Sequence, residues 1–387
     1  MRFLHRDGSV VHLAYCTNVH PAEDLGGIIA QLDRYAVPIR DRLGADRLGL
    51  GLWLPREVAR LLTESTAALE ELRRALTRRH LEVVTLNGFP YGGFHDPVVK
   101  HAVYRPDWSE RSRLEYTLEL ARVLVELLPA DVTEGSVSTL PLGLRETWSE
   151  HARSAASGHL AELSAGLAEL ARRTGRSVRV GFEPEPGCVL ETTDDAVSLL
   201  RGIDPARIGV CLDTCHLAVA FERPSRALAE LSAAGIPVVK TQASCALHAQ
   251  EPCSPATRRA LEGFTEPRFL HQTRAAAGGA LRGVDDLDRA LAGELADGGP
   301  WRVHFHTPLH TAPRHPLTST REVLTDALAE LLAGGHARTN HVEVETYTWD
   351  VLPERDRQAG GVVPGTAAEL AWTRARLLEL GLTEIER

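Results

Sequence analysis

Residues 209–216 read GVCLDTCH. An apolar run ends on Asp213, and His216 follows three positions later. Two cysteines in so short a stretch suggest a zinc knot or a redox pair. A zinc knot needs a second ligand pair at matching spacing, and none follows. A redox motif spaces its thiols by two residues, whereas three lie between Cys211 and Cys215. The remaining reading is a buried strand that carries polar groups out of its C-terminal end. Short apolar runs bounded by glycine and proline have this character in parallel sheets. Cys211 and Cys215 are then small core side chains.

The pattern repeats in both directions. Strand candidates cover residues 11–18, 48–54, 81–88, 136–143, 178–185, 208–213, 236–244, 301–308 and 341–349. Amphipathic runs at 57–79, 110–128, 148–174, 192–202, 223–233 and 320–332 separate most of them. In the last, Ser319 and Glu322 have capping-box spacing, Val323, Leu324, Ala327, Leu328 and Leu331 share a face, and Gly334–Gly335 are placed to end the helix. Repeated strand–helix units in one composition regime predict a single α/β domain over 1–387, a (β/α)8 TIM barrel. A doubly wound open sheet is the alternative, but no Gly-x-Gly-x-x-Gly follows the first strand. Nine candidates are one too many for the barrel. Residues 245–300 are too long for an ordinary connection and predict an insertion. Segments 11–18 and 236–244 are the least secure barrel members.

A chain of 387 residues, 43% hydrophobic and 25% charged, has ample material for a soluble core. Its net charge of -9 disfavours a nucleic-acid partner. The six cysteines form no evenly spaced framework, and the first residues contain no apolar signal core. A cytoplasmic protein with reduced thiols is expected.

In a parallel barrel, reactive groups gather where the strands end. Glu183, Asp213, His304, His306, Glu343 and Glu345 occupy late strand ends, and alternation puts His304 with His306 and Glu343 with Glu345 on shared faces. Asn87, Tyr91 and His95 lie in a glycine-rich loop, and Lys240 and Gln242 in 236–244. Singly, each has a structural explanation: a strand-end acid caps a helix, a core histidine is hydrogen-bonded, a lysine faces solvent. Together they crowd like charges at one end, which is costly unless compensated. A divalent cation accepts carboxylate oxygens and imidazole nitrogens at once, and this donor set suits Zn²⁺ or Mn²⁺ better than Ca²⁺.

These residues resemble the xylose-isomerase-like TIM-barrel superfamily, which includes sugar isomerases, ketose 3-epimerases and endonuclease IV-type enzymes. Glu183 and Asp213 match its metal-binding acids on the fifth and sixth strands, His216 its Asp-x-x-His histidine, and His306 and Glu345 the last two metal positions. Over nearly the whole chain, YCTNVHP, TLNGFPYGGFH, FEPEPGCVLE, CLDTCHLAVAFE, VKTQAS, FLHQTRA, VHFHTPLH and VEVETYTWDVLP resemble the EboE family of metabolite-traffic proteins. Related operons encode a membrane prenyltransferase, a candidate pathway partner.

The resemblance implies a metal-dependent isomerase or epimerase acting on a small polyol, sugar or cyclitol-like metabolite through a metal-bound enediolate. Glu183 and Glu345 would be the catalytic acid/base pair as well as metal ligands, with Asp213 and His306 completing the coordination. His216 would hold a substrate oxygen or add a fifth ligand. Lys240, Asn87, Tyr91, His95, Gln242, His271 and His304 are candidate substrate contacts. Strand seven is either 236–244, without histidine, or 301–308, and His271 is a possible ligand from the insertion. The alternatives are a non-catalytic metabolite carrier or scaffold and, third, a metal-dependent phosphoesterase.

Overall fold

The computed structural model describes residues 1–277, 280–295, 298–356 and 361–385. Eight parallel strands close into a barrel: β1 (Val10–Cys16), β2 (Leu48–Trp53), β3 (Leu81–Asn87), β4 (Glu134–Thr139), β5 (Ser177–Phe182), β6 (Ile208–Asp213), β7 (Val238–Ala243) and β8 (His341–Val344). β8 pairs with β7 through Glu343↔Gln242 and with β1 through Glu343↔Ala14, which closes the ring. Helices follow every strand; α-helices Arg111–Leu127, Glu150–Thr174 and Val362–Glu379 are the longest.

Both insecure segments are barrel strands. The surplus candidate is 301–308. Only Trp301–Val303 is extended in a ladder, and it pairs antiparallel with Leu247–Ala249 and Thr273–Ala277. These strands, with Ala280–Val284 and Thr318–Ser319, form a separate five-stranded antiparallel sheet. The inserted segment therefore runs beyond residue 300, to the start of the helix at Arg321. That helix lacks the expected capping box. Ser319 is in the sheet, and the Thr320 hydroxyl accepts from Ala246 N instead (2.9 Å). It leaves through Ala333 in the right-handed region, not through a left-handed glycine such as Gly175 (φ 70°) after Glu150–Thr174. The amphipathic run 57–79 is two helices, Arg56–Glu64 and Thr66–Arg78, with Ser65 capping the second.

The apolar core is a sleeve between strands and helices. Leu13, Leu50, Val137, Val180, Val342 and Val344 are buried, and Val342 and Val344 alternate with inward Glu343 and Glu345 as the pleat requires. The barrel interior differs from the usual branched apolar layers. It holds His12, Ser136, Lys240, Gln242, His341 and Glu343, all buried. Small neighbours make the room: a Cβ on Gly51 would lie 1.3 Å from Glu343 Oε1. No helix among the described residues is long and apolar enough to cross a membrane.

Candidate metal centre

Three strand ends and one loop converge at the C-terminal mouth of the barrel. Glu183 extends β5, its N–H donating to Thr139 O (3.0 Å). Glu345 extends β8, its N–H donating to Ala243 O (3.1 Å). Asp213 ends β6 and caps the next helix: Oδ1 accepts from His216 N (2.9 Å) and Ser244 Oγ (2.8 Å). His306 arrives from the insertion, beyond Trp301–Val303, and its Nδ1–H donates to Glu345 O (2.8 Å). The insertion thus supplies the imidazole that β7 lacks.

These contacts leave particular atoms open. Glu183 Oε2, Asp213 Oδ2 and His306 Nε2 are buried and have no hydrogen-bond partner in the protein. Single donor atoms of Glu183, Asp213 and Glu345 lie within 4.8 Å of one another, as do those of Asp213, His216 and His306. Buried polar atoms without partners are costly, so several on side chains grouped this closely fit a cation. The outer contacts are of the kind that orient ligands: a carbonyl fixes the tautomer of His306, and the Asn18 and Asn87 amides donate to Glu345 Oε1 (2.7 and 3.0 Å).

Burial, followed by the charges of Glu345, Asp213 and Glu185, raises the pKa of Glu183 well above the carboxylate range. Burial and then Asp213 and Glu343 do the same to Glu345. Without a cation Glu183 and Glu345 therefore favour their protonated forms. Burial lowers His216 to about 4 and also lowers His306, so both imidazoles are neutral and available as donors near pH 7.

His216 and His304 form a second notable pair, with Nε2 atoms 3.0 Å apart. His216 Nδ1–H donates to Pro184 O (3.0 Å) and His304 Nδ1–H to Gln272 Oε1 (2.7 Å). The Gln272 amide is oriented because its Nε2 donates to Pro186 O (3.1 Å). Two neutral rings held this way face each other with lone pairs.

The other candidates divide. Asn87 and His304 line the cavity above the carboxylates. Lys240 does not face solvent: it is fully buried and bonded to Glu343 inside the barrel. Burial opposes its charge, but Glu343 beside it keeps its pKa above the usual value. Gln242 is also in the barrel, its Oε1 accepting from Cys211 Sγ (3.1 Å). Tyr91 packs on Tyr116 and Arg113. His95 is hydrogen-bonded to Asn18 O (2.7 Å), and His271 is bound between Glu266 and His304 O. None of these five is in the cavity lining. Asn18, Tyr104, Glu185 and Tyr347 do line it and were not singled out from sequence. Glu185 repeats the acid of Glu183 two positions on, which was the available signal. Burial raises it to about 8, although Tyr104 donates to it (2.5 Å).

The family profile described as "Xylose isomerase-like TIM barrel" matches residues 41–248. No curated protein sequence matches the chain. Among solved structures, an L-ribulose 3-epimerase is similar at 13% identity, covering 96% of this chain and 95% of its own, with a TM-score of 0.52. A xylose isomerase-like TIM barrel protein from Mycobacterium smegmatis, in complex with magnesium, has 15% identity, 96% coverage of each chain and a TM-score of 0.51. A xylose isomerase domain protein from Alicyclobacillus acidocaldarius subsp. acidocaldarius has 15% identity, coverage of 95% and 99%, and a TM-score of 0.51. At these identities the likeness is one of fold.

Proposed function

Because the chain belongs to the xylose isomerase-like TIM barrel family, we propose that it is a divalent-metal-dependent isomerase or epimerase of a sugar- or cyclitol-like hydroxycarbonyl compound. The supporting observation is that Asp213 is shared by two close donor groups, Glu183–Asp213–Glu345 and Asp213–His216–His306, while Glu183 Oε2, Asp213 Oδ2 and His306 Nε2 lack hydrogen-bond partners. Glu183, Asp213, His306 and Glu345 would hold the ion, and carboxylates with an imidazole suit Zn²⁺ or Mn²⁺. When bound, the cation would act as a Lewis acid that polarises the substrate carbonyl.

The protein's own groups carry the proton. One of Glu183 and Glu345, ionised, takes the proton from the carbon beside the carbonyl. The C–H electron pair becomes the C=C bond of an enediolate, and the carbonyl π pair moves to oxygen. The other carboxyl returns a proton to the opposite face of that carbon for epimerisation, or to the former carbonyl carbon for isomerisation. Asn18 and Asn87 hold Glu345 in place. Buried Asp213 helps keep both proton affinities high. On its EboE-like motifs, we assign the protein to metabolite biosynthesis or traffic in the cytoplasm.

The test is solvent exchange. Metal-loaded protein in D2O is incubated with L-ribulose, D-fructose and an inosose, and carbon-bound deuterium is measured by NMR. We expect wash-in at the carbon beside the carbonyl, and none with Glu183→Gln or Glu345→Gln. A stoichiometric metal with no exchange into any hydroxycarbonyl compound would overturn the enzyme assignment in favour of a carrier.

A further inference from the structure

The cavity above Glu183 and Glu345 has two unlike sets of lining residues. The polar set is Glu183, Glu185 and Glu345 with three imidazoles and two asparagines; Asp213 is not in this lining. The apolar wall is Phe89, Phe94, Val99, Val103, Phe269 and Leu270. Tyr347 joins the two: its ring centroid is 4.7 Å from that of His306, 4.9 Å from Phe269 and 5.5 Å from Phe94. Phe94, Val99, Phe269 and Trp53 form an apolar cluster separate from the main core.

This wall is assembled from three distant segments. The loop after β3 gives Phe94 and Val99, the insertion gives Phe269, and the chain after β8 gives Tyr347. Val99 N and Lys100 N both donate to Arg268 O (2.7 and 2.8 Å), which ties the loop to the insertion. Lys100 is the lysine in the lining, and its ammonium is bound to Asp286. It offers no free cation for a phosphate group. A buried polyol needs a partner for each hydroxyl, and phenylalanine and valine provide none.

We propose that the substrate carries an apolar aryl or alkyl substituent beyond its hydroxycarbonyl head, and that Phe94 and Phe269 determine this specificity. The inference rests on the metal-dependent reading for the head and on the aromatic wall for the substituent. Hydroxamates probe both, because their two oxygens chelate a cation as a hydroxycarbonyl would. Affinities of acetohydroxamate, D-gluconohydroxamate and 4-phenylbutyrohydroxamate are measured by calorimetry on the zinc-loaded full chain. We expect the phenyl compound to bind at least about tenfold tighter than acetohydroxamate, from burial of its ring, and the gluconate derivative to gain nothing. Phe94→Ala and Phe269→Ala should each remove most of that gain and leave acetohydroxamate affinity unchanged, which also shows that the variants fold. Gluconohydroxamate binding as tightly as the phenyl compound, or a gain that survives both substitutions, would overturn the inference. 4-Phenylbutyramide, which lacks the chelating pair, separates the two parts. Weaker binding of it to Phe94→Ala than to wild type supports the wall, and equal binding counts against it. Failure of acetohydroxamate to bind counts against the metal.

Discussion

The barrel buries charge at both ends of its axis but treats it differently. At the N-terminal end Arg2 donates to Glu82 (2.8 Å), which also faces His12 at 3.8 Å, and midway Lys240 is bonded to Glu343. Each acid there has a cation of the protein's own. At the C-terminal end Glu183, Asp213 and Glu345 stand together with neutral histidines, and open donor atoms remain. Acids neutralised by the protein's own Arg2 and Lys240 shape a fold, even though Glu343 Oε1 also lacks a hydrogen-bond partner. A cluster left open is a site for something that arrives from outside.

The largest expected difference between the two regions is in metal binding. Asp213→Ala should weaken binding by more than about 100-fold, since even outer contacts to a ligand are worth 10- to 100-fold. Mass spectrometry after repletion should find about one divalent ion per wild-type chain and almost none in the variant, with circular dichroism unchanged. Glu343→Leu should show the opposite signature. It strands buried Lys240 and should cost about 3–5 kcal/mol in urea unfolding. The double variant Lys240→Met/Glu343→Leu should recover most of that and keep its metal. Loss of metal from the double variant would mean that the closed pair belongs to the site.

Asn18→Ala removes a donor to Glu345 without replacing a proposed ligand. It should weaken metal binding roughly 10- to 100-fold, read by competition with a chelator. The smallest effect is on thermal stability against pH in EDTA. Glu183, Glu185 and Glu345 have folded-state pKa values raised above their unfolded values. Their contribution is fully present below about 4.5, the unfolded value, and is lost as pH rises through the folded values, about 8 for Glu185. The chelated protein should therefore melt a few degrees lower at pH 9 than at pH 6. Added Zn²⁺ should reverse the trend, and Glu345→Gln should flatten it.

How much of this is legible in the sequence follows from its physical cause. The alternation of apolar and inward polar residues marks β6 and β8, and strand-end position singles out Glu183, Asp213 and Glu345. Segment 301–308 has the same local pattern as a barrel strand. Its residues Trp301–Val303 lie in another sheet, because β8 pairs directly with both β7 and β1 and leaves no place for them. That closure is non-local and invisible in a window of eight residues. Lys240 reads as a surface lysine because its partner, Glu343, is remote in sequence and adjacent only after the barrel forms. Asn18 and Tyr347 flank strands without being acids or imidazoles, so residue type gives no signal for them. His306 is found for its chemistry, although its strand assignment is wrong. The part of the insertion that follows Trp301–Val303 presents it to the same mouth.

Diffraction from crystals of zinc-loaded protein, recorded on both sides of the zinc absorption edge, decides whether the open cluster is a metal centre. An anomalous peak bonded to Glu183, Asp213, Glu345 and His306 is the expected result. A fully loaded crystal with no peak among these four side chains would contradict it.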